Sequence, residues 1–333
     1  MDLFKGRTAN EAWIAAALAL KSPQARVQQS RLGVTREIPQ GVFVITEPTQ
    51  RWVYSRTPPA NVALALAEVI WIVAGRCDTR FLINWSKKYE HFVGGVPQQH
   101  DAYGRRLRFH FGLDQLIHAA QALSANPETR QVVLQLWDAS SDFPMPNGLP
   151  SNANIPCNVL SMLKVREGRL EWTQILRSND LYRGTPYNFM QFTSLQEIIA
   201  GWIGVAPGPY THFSDSLHVY EHEFTLLESS PYSEGPSNTD SLALPLRDSL
   251  LGFKALEEAV LTISNTALER DLLAFNARSL PLPLANILVI FLSERLRQLH
   301  FYSSAKEMVT RCTNSYLESA WISWADYLSN LRV

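Results

Sequence analysis

Residues 155–188 read IPCNVLSMLKVREGRLEWTQILRSNDLYRGTPYN, and their reading decides the fold. Residues 158–165 and 170–177 have strand character, and Arg166-Glu167-Gly168-Arg169 joins them as a hairpin-like connection. Just downstream, Phe189, Phe192, Leu195, Ile198, Ile199 and Trp202 recur at helical spacing. That spacing predicts a helix over 189–203 with one apolar face.

Working outward, the Ala-rich segment 10–20 reads as a helix, the chain turns at 31–35, and 41–46 is β-branched and strand-like. Residues 62–74 are apolar at helical spacing, interrupted by Glu68. A helix is expected at 113–124, a strand at 132–137 and a loop at 140–154. The Pro/Gly/Ser/Asn-rich stretch 229–240 is the one boundary, dividing a core of 1–228 from an extension of 229–333. The extension is expected to be helical at 249–263, 266–276, 284–298 and from 303 to the end.

Of the 333 residues, 46% are hydrophobic and 18% charged, enough for a sizeable buried core. Lys+Arg is 30 against 31 Asp+Glu, which excludes a general nucleic-acid binder. The apolar run at 62–74 is too short for the roughly 20 residues that span a bilayer, and no secretory leader is legible at the N-terminus. Cys77, Cys157 and Cys312 form no CxxC pair, which suits reduced thiols and a cytoplasmic setting.

The chemistry lies in four short motifs: Pro156-Cys157, Arg177-Ser178-Asn179-Asp180, Gly184-Thr185-Pro186-Tyr187-Asn188 and His218-Val219-Tyr220. A thiol beside a cation can act as a nucleophile. Arginine supplies the cation and grips a phosphate in two places. A primary amide offers a donor and an acceptor side by side, as a uracil edge demands. His218 and Tyr220, two apart on an extended segment, point the same way and can hold a sugar hydroxyl. His218 and His222 lack a third ligand, so no metal is expected.

In this order and spacing the motifs resemble the thymidylate synthase and pyrimidine nucleotide hydroxymethylase family, over residues 10–226. The resemblance implies an α+β fold: a large mixed or antiparallel sheet with helices on one face, here with a helical C-terminal extension. It implies one-carbon transfer from 5,10-methylenetetrahydrofolate to C5 of a pyrimidine nucleoside monophosphate, with Cys157 adding to C6. Asn188 favours a uracil nucleotide, dUMP. Arg31, Arg177 and Ser178 match phosphate ligands, and Arg130 matches an arginine lent across a homodimer with shared active sites. His218 and Tyr220 match the sugar-binding pair. Glu68 and Tyr103 match the proton-transfer groups. Asp180 matches the aspartate between pyrimidine and pterin, and Gly184 and Tyr187 fall with it on the folate side.

Departures cluster on that folate side. Arg183 stands where the family has leucine, and Asn158 follows the nucleophile where it has histidine. Gln131 replaces a second arginine, and the tryptophan over the folate has no counterpart, although Trp85, Tyr89 and Phe92 fall nearby. A site leaky to water favours a 5-hydroxymethyl over a 5-methyl product, and the sequence leaves both products open. Two other readings stay open: folate-independent C5 chemistry through the same cysteine, and a non-catalytic nucleotide-binding homologue.

Overall fold

The computed structural model describes residues 1–30, 33–276 and 280–331. In chain order the elements are β1 (Asp2–Gly6), α1 (Ala9–Lys21), β2 (Arg26–Ser30), β3 (Gly33–Ile45), α2 (Val62–Val73), α3 (Arg80–Ile83), α4 (Lys88–Val93) and α5 (Tyr103–Arg105). A π-helical turn (Arg106–His110) leads to α6 (Gln115–Ala125), β4 (Val133–Gln135), α7 (Ala139–Asp142), β5 (Asn158–Arg166), β6 (Arg169–Leu176), β7 (Asn179–Asp180), α8 (Thr185–Ile203) and β8 (Ala206–Tyr220). Then come α9 (Glu221–Glu228), α10 (Leu246–Asn265), α11 (Glu269–Leu273), α12 (Leu282–Gln298), α13 (Tyr302–Val309) and α14 (Ser315–Asn330).

The strands form one eight-stranded mixed sheet in the order β1-β3-β8-β6-β5-β4, with β2 beside β3 and β7 beside β8. β3 and β8 run antiparallel, β8 and β6 parallel, and β6 and β5 antiparallel. One face is covered by helix α8. Phe43 meets Phe189 of that helix edge-on at 5.3 Å, and Tyr210, Trp172 and Leu163 are buried on the same side.

Helix α2 starts where the Asn61 side chain accepts from the Leu64 amide at 3.1 Å. Every residue of α2 is buried but Glu68, which is partly buried, as suits a helix apolar all round. It lies between α8 on one side and α10, α12 and α14 on the other. The C-terminal helices thus continue the hydrophobic core across α2.

Several boundaries differ from the sequence expectation. Residues 33–35, expected in a turn, begin β3 and pair with β2 and β8. Helix α8 begins at Thr185 rather than 189, because Pro186 is at its start, where a missing N–H costs nothing. The loop 140–154 opens with α7, capped by Asp138 accepting from the Ser140 amide. Within 266–276 only Glu269–Leu273 is helical, and the last segment breaks into α13 and α14 before Asn314, whose side chain caps α14. Among the described residues no helix is long and apolar enough to cross a membrane.

Candidate active site

The β5–β6 hairpin sets the register of the site. Asn158 pairs with Leu176, so Cys157 and Arg177 sit side by side at the open end, and the Arg177 amide donates to the Cys157 carbonyl at 3.0 Å. The Arg177 guanidinium donates to the carbonyls of Pro156 at 2.9 Å and Ile155 at 3.2 Å. It also lies 5.5 Å over the Trp137 ring. The cation is therefore held against the loop that carries the thiol. Burial pushes the Cys157 thiol above its ordinary value. Arg177 opposes this, and the carboxylates of Asp101 and Asp180 add to it. Alkylation of Cys157 by iodoacetamide is expected to be slow at pH 7 and to rise through and beyond pH 9. A labelling rate already at plateau by pH 8 would contradict this environment.

Behind the thiol a row of amides crosses the inner face of the sheet. Asn158 donates from Nδ2 to Asn188 Oδ1 at 3.3 Å and accepts from Gln174 Nε2 at 2.9 Å. Asn188 donates to Asn179 Oδ1 at 3.3 Å. Asn179 in turn donates to His212 Nε2 and Ser214 Oγ, both at 3.0 Å. Burial pushes the His212 imidazole down to about 3, so this ring is a neutral acceptor at Nε2.

On the α2 side, Gln191 Nε2 donates to Glu68 Oε2 at 2.9 Å. Burial raises the Glu68 carboxyl to about 7, with the Gln191 bond opposing the rise. A carboxyl poised near neutrality can hold or release a proton under working conditions. Tyr103 is hydrogen-bonded to Asn158, and its phenol is pushed upward by burial and by the proximity of Cys157. Tyr89 senses Glu68, Asp101 and Tyr103 together, so α4 also faces this corner. Asp101 has a buried Oδ1 with no partner, and burial raises its carboxyl.

Asp180 anchors the turn into α8. Its Oδ1 accepts from the amides of Tyr182 and Arg183, both at 2.8 Å, while its buried Oδ2 has no partner. Gly184 donates to the Asp180 carbonyl at 3.0 Å. A Cβ on Gly184 would come within 3.3 Å of that carbonyl and 3.6 Å of Asn188 Nδ2, so a side chain here would press lightly on the turn. Tyr187 leaves this cluster, its hydroxyl accepting from the Asn61 amide at 3.0 Å. Arg183 points to solvent and is bound by Glu223 at 2.6 Å and by His222 at 3.0 Å. Glu223 retains a second, buried oxygen without a partner.

His218 and Tyr220, on β8, meet edge-on at 5.4 Å. Tyr220 is bonded to Ser30 and lies near Asp180 and Cys157. His218 contacts the Ser216 carbonyl at 3.4 Å while His222 turns to Arg183, so the two histidines diverge. Ser178 is half-buried beside Arg177, and Arg130 is exposed ahead of β4. Arg31 lies outside the described residues. Trp85 is buried and packs at 4.6 Å on Phe291 of α12, away from the site.

The structure thus brings Cys157, Arg177, Asp180, Asn188, His218, Tyr220, Tyr103 and Glu68 to one end of the sheet. Asp101, Gln174, Gln191 and Glu223 join them but carry no motif. Their types are ordinary in a sequence, and only burial without partners or bonds to motif residues marks them.

The sequence profile of the family described as "Thymidylate synthase" matches residues 55–255. Among curated proteins, the chain is 33% identical over 200 residues to the deoxyuridylate hydroxymethyltransferase of Bacillus phage SP01, covering 57% of this chain and 51% of that protein. It is 32% identical over 210 residues to the protein of that name from Pseudomonas phage M6, covering 60% and 58%. It is 35% identical over 179 residues to thymidylate synthase 1/2 of Encephalitozoon cuniculi, covering 46% and 58%. The chain spans little more than half the length of these curated relatives. With the profile covering residues 55–255 of 333 and the motifs gathered at one end of the sheet, this chain belongs to the thymidylate synthase family.

Proposed function

We propose that the protein transfers a one-carbon unit to C5 of dUMP and releases 5-hydroxymethyl-dUMP. The observation that carries this reading is Cys157 beside Arg177, with the next residue, Asn158, bonded to the amide of Asn188. Cys157 adds as thiolate to C6 of the pyrimidine. Arg177 supplies positive charge to the thiol and to the phosphate, beside Ser178, with Arg31 as a further phosphate ligand. Asn188 presents a donor and an acceptor to the uracil edge, and His218 with Tyr220 receives the sugar hydroxyl. Glu68 exchanges a proton with the pyrimidine, and Tyr103 is near the C5 proton.

The orphaned oxygens of Asp180 and Glu223 suit the N–H groups of a reduced pterin. Asp180 and Gly184 would face 5,10-methylenetetrahydrofolate, which supplies the one-carbon unit when bound, whereas Tyr187, expected with them, is turned to the Asn61 amide. Hydroxymethyl is favoured over methyl because Arg183 replaces an apolar contact and Trp85 is turned away, which leaves the C5 substituent open to water. Two relatives bear the name deoxyuridylate hydroxymethyltransferase.

A homodimer fits the second face of the sheet. Val42, Phe213, Ile175 and Leu160 sit in register across β3, β8, β6 and β5, all half-buried and turned from α8. Met162 and Val133 extend this row, 41% and 47% exposed. We assign it to a second copy, with Arg130 reaching the partner's phosphate site. Sedimentation equilibrium is expected to give twice the 37.6 kDa chain mass, and a monomer at micromolar concentration would overturn the assignment.

The test of function is a product assay with methylenetetrahydrofolate and dUMP, read by mass spectrometry. A hydroxymethyl product is expected; a methyl product would reject the water-access argument, and tritium release from C5 without folate would favour folate-independent chemistry. The pH dependence provides a further check. Glu68 holds its proton below about 7, so kcat/KM is expected to fall above that pH if the protonated acid acts. Glu68→Gln is expected to remove this limb and to lower kcat by roughly 10²–10⁴-fold. An unchanged alkaline limb in the variant would exclude Glu68 as its source.

A further inference from the structure

We infer that Trp172, acting through Gln174 and Asn158, fixes which way the Asn188 amide faces, and that this row makes the site select uracil over cytosine. The inference rests on the proposed pyrimidine site and concerns how that site discriminates.

Cytosine and uracil differ at the edge an amide reads. Uracil offers N3–H and the O4 acceptor, whereas cytosine offers the N3 acceptor and the N4–H donor. An asparagine free to turn over matches either base, so discrimination requires the amide to be locked. The lock is present in the hydrogen-bond row. The Trp172 indole donates to Gln174 Oε1 at 3.1 Å, and Ser161 Oγ donates to the same oxygen at 2.5 Å. Gln174 must then send Nε2 to Asn158, at 2.9 Å. Asn158, having accepted at Oδ1, sends Nδ2 to Asn188 Oδ1 at 3.3 Å. Asn188 is left with Nδ2 toward Asn179, at 3.3 Å.

Every other terminus of the row can adapt. Ser161, Ser214 and Tyr103 hydroxyls rotate to donate or accept, and His212 can change tautomer. The indole of Trp172 can only donate. Turning Asn188 over would set its Nδ2 against Asn158 Nδ2. Relieving that contact by turning Asn158 and Gln174 as well would end with the Gln174 amide facing the indole N–H, donor to donor. Trp172, Gln174, Asn158 and Ser161 are all at most 1% exposed, so water cannot repair the mismatch. The residue after the nucleophile, Asn158, is the link in this chain between the sheet interior and the base reader.

The row makes a directional prediction. In Gln174→Glu both carboxylate oxygens accept, so Asn158 turns its Nδ2 toward the carboxylate and its Oδ1 toward Asn188. Asn188 answers with Nδ2, and donor and acceptor exchange places at the pocket. Asn158→Asp has the same consequence by one step fewer. Trp172→Phe removes the anchor and frees the row without inverting it.

The experiment is calorimetric binding of dUMP and dCMP to the full chain and to each variant, with thermal melts as the folding control. The wild-type protein is expected to bind dUMP at least about tenfold more tightly than dCMP. Gln174→Glu is expected to lower that ratio at least tenfold, and Trp172→Phe to lower it by less. If Gln174→Glu does not fold, Asn158→Asp is read in its place with the same expectation. A variant that binds both nucleotides more weakly by one common factor, with the ratio unchanged, overturns the lock and leaves the pyrimidine site standing. A wild-type protein that binds dCMP as well as dUMP also overturns it. A wild-type protein that binds neither overturns the proposed function and the lock together.

Discussion

Cys157→Ala is expected to abolish product formation, by at least ~10⁴-fold in kcat, while dUMP still binds. In the proposed reaction Cys157 is the group that forms the bond to C6. Loss of a covalent nucleophile removes the path itself rather than one stabilising contact. Binding survives because the groups that hold the nucleotide are separate from the sulfur: Arg177 keeps its bonds to the Pro156 and Ile155 carbonyls, and Asn188 keeps its place in the amide row. The measurement is a single-turnover assay beside calorimetric titration with dUMP. Residual turnover within a hundredfold of wild type would show that another group initiates the reaction. Cys77 and Cys312 provide internal controls, since Cys312 is buried in the C-terminal helices with its thiol pushed up to about 11.

Arg51→Met is expected to cost about 3–5 kcal/mol of stability, the usual loss when one member of a buried ion pair is removed. Arg51 and Glu197 are paired with side chains only 4% and 2% exposed, and Arg51 also donates to Ser194 Oγ at 2.7 Å. Without the guanidinium, the Glu197 carboxylate is buried and uncompensated. The pair ties the segment after β3 to the middle of α8, the helix that positions Asn188 and Gln191. Urea unfolding of the variant should therefore show a lower midpoint with an unchanged slope. The double variant Arg51→Met/Glu197→Leu is expected to recover most of the loss, because no unpaired charge is then left buried. A single-variant loss under 1 kcal/mol would show that water reaches Glu197.

Much of this arrangement was legible in the chain. The 155–188 stretch announced a hairpin and a turn into a helix, and both are present as β5, β6 and α8. Glu68 stood out as a carboxylate inside an apolar run, and in the fold it is partly buried on α2 and bonded to Gln191. Other features had no local signature. The apolar spacing placed the start of α8 at 189, and the helix begins at Thr185 with Pro186 in its first turn. Gln174 looked like an ordinary polar residue on a strand, yet it is fully buried, and its partners lie on β5 and within its own strand. The side of Trp85 was undecidable without Phe291, over two hundred residues away.

By itself the sequence determined the local chemistry: where the β5–β6 hairpin and the helix after it lie, where the thiol and its cation fall on either side of that hairpin, and which family's motifs they form. Those properties depend on spacing over a few tens of residues, which periodicity and turn residues report directly. Only the tertiary structure decided which carboxyls lose water and hold protons, which tryptophan faces the site, and which way each amide points. Those outcomes depend on burial and on partners from distant strands, and a buried polar group takes its state from the neighbours that replace its water.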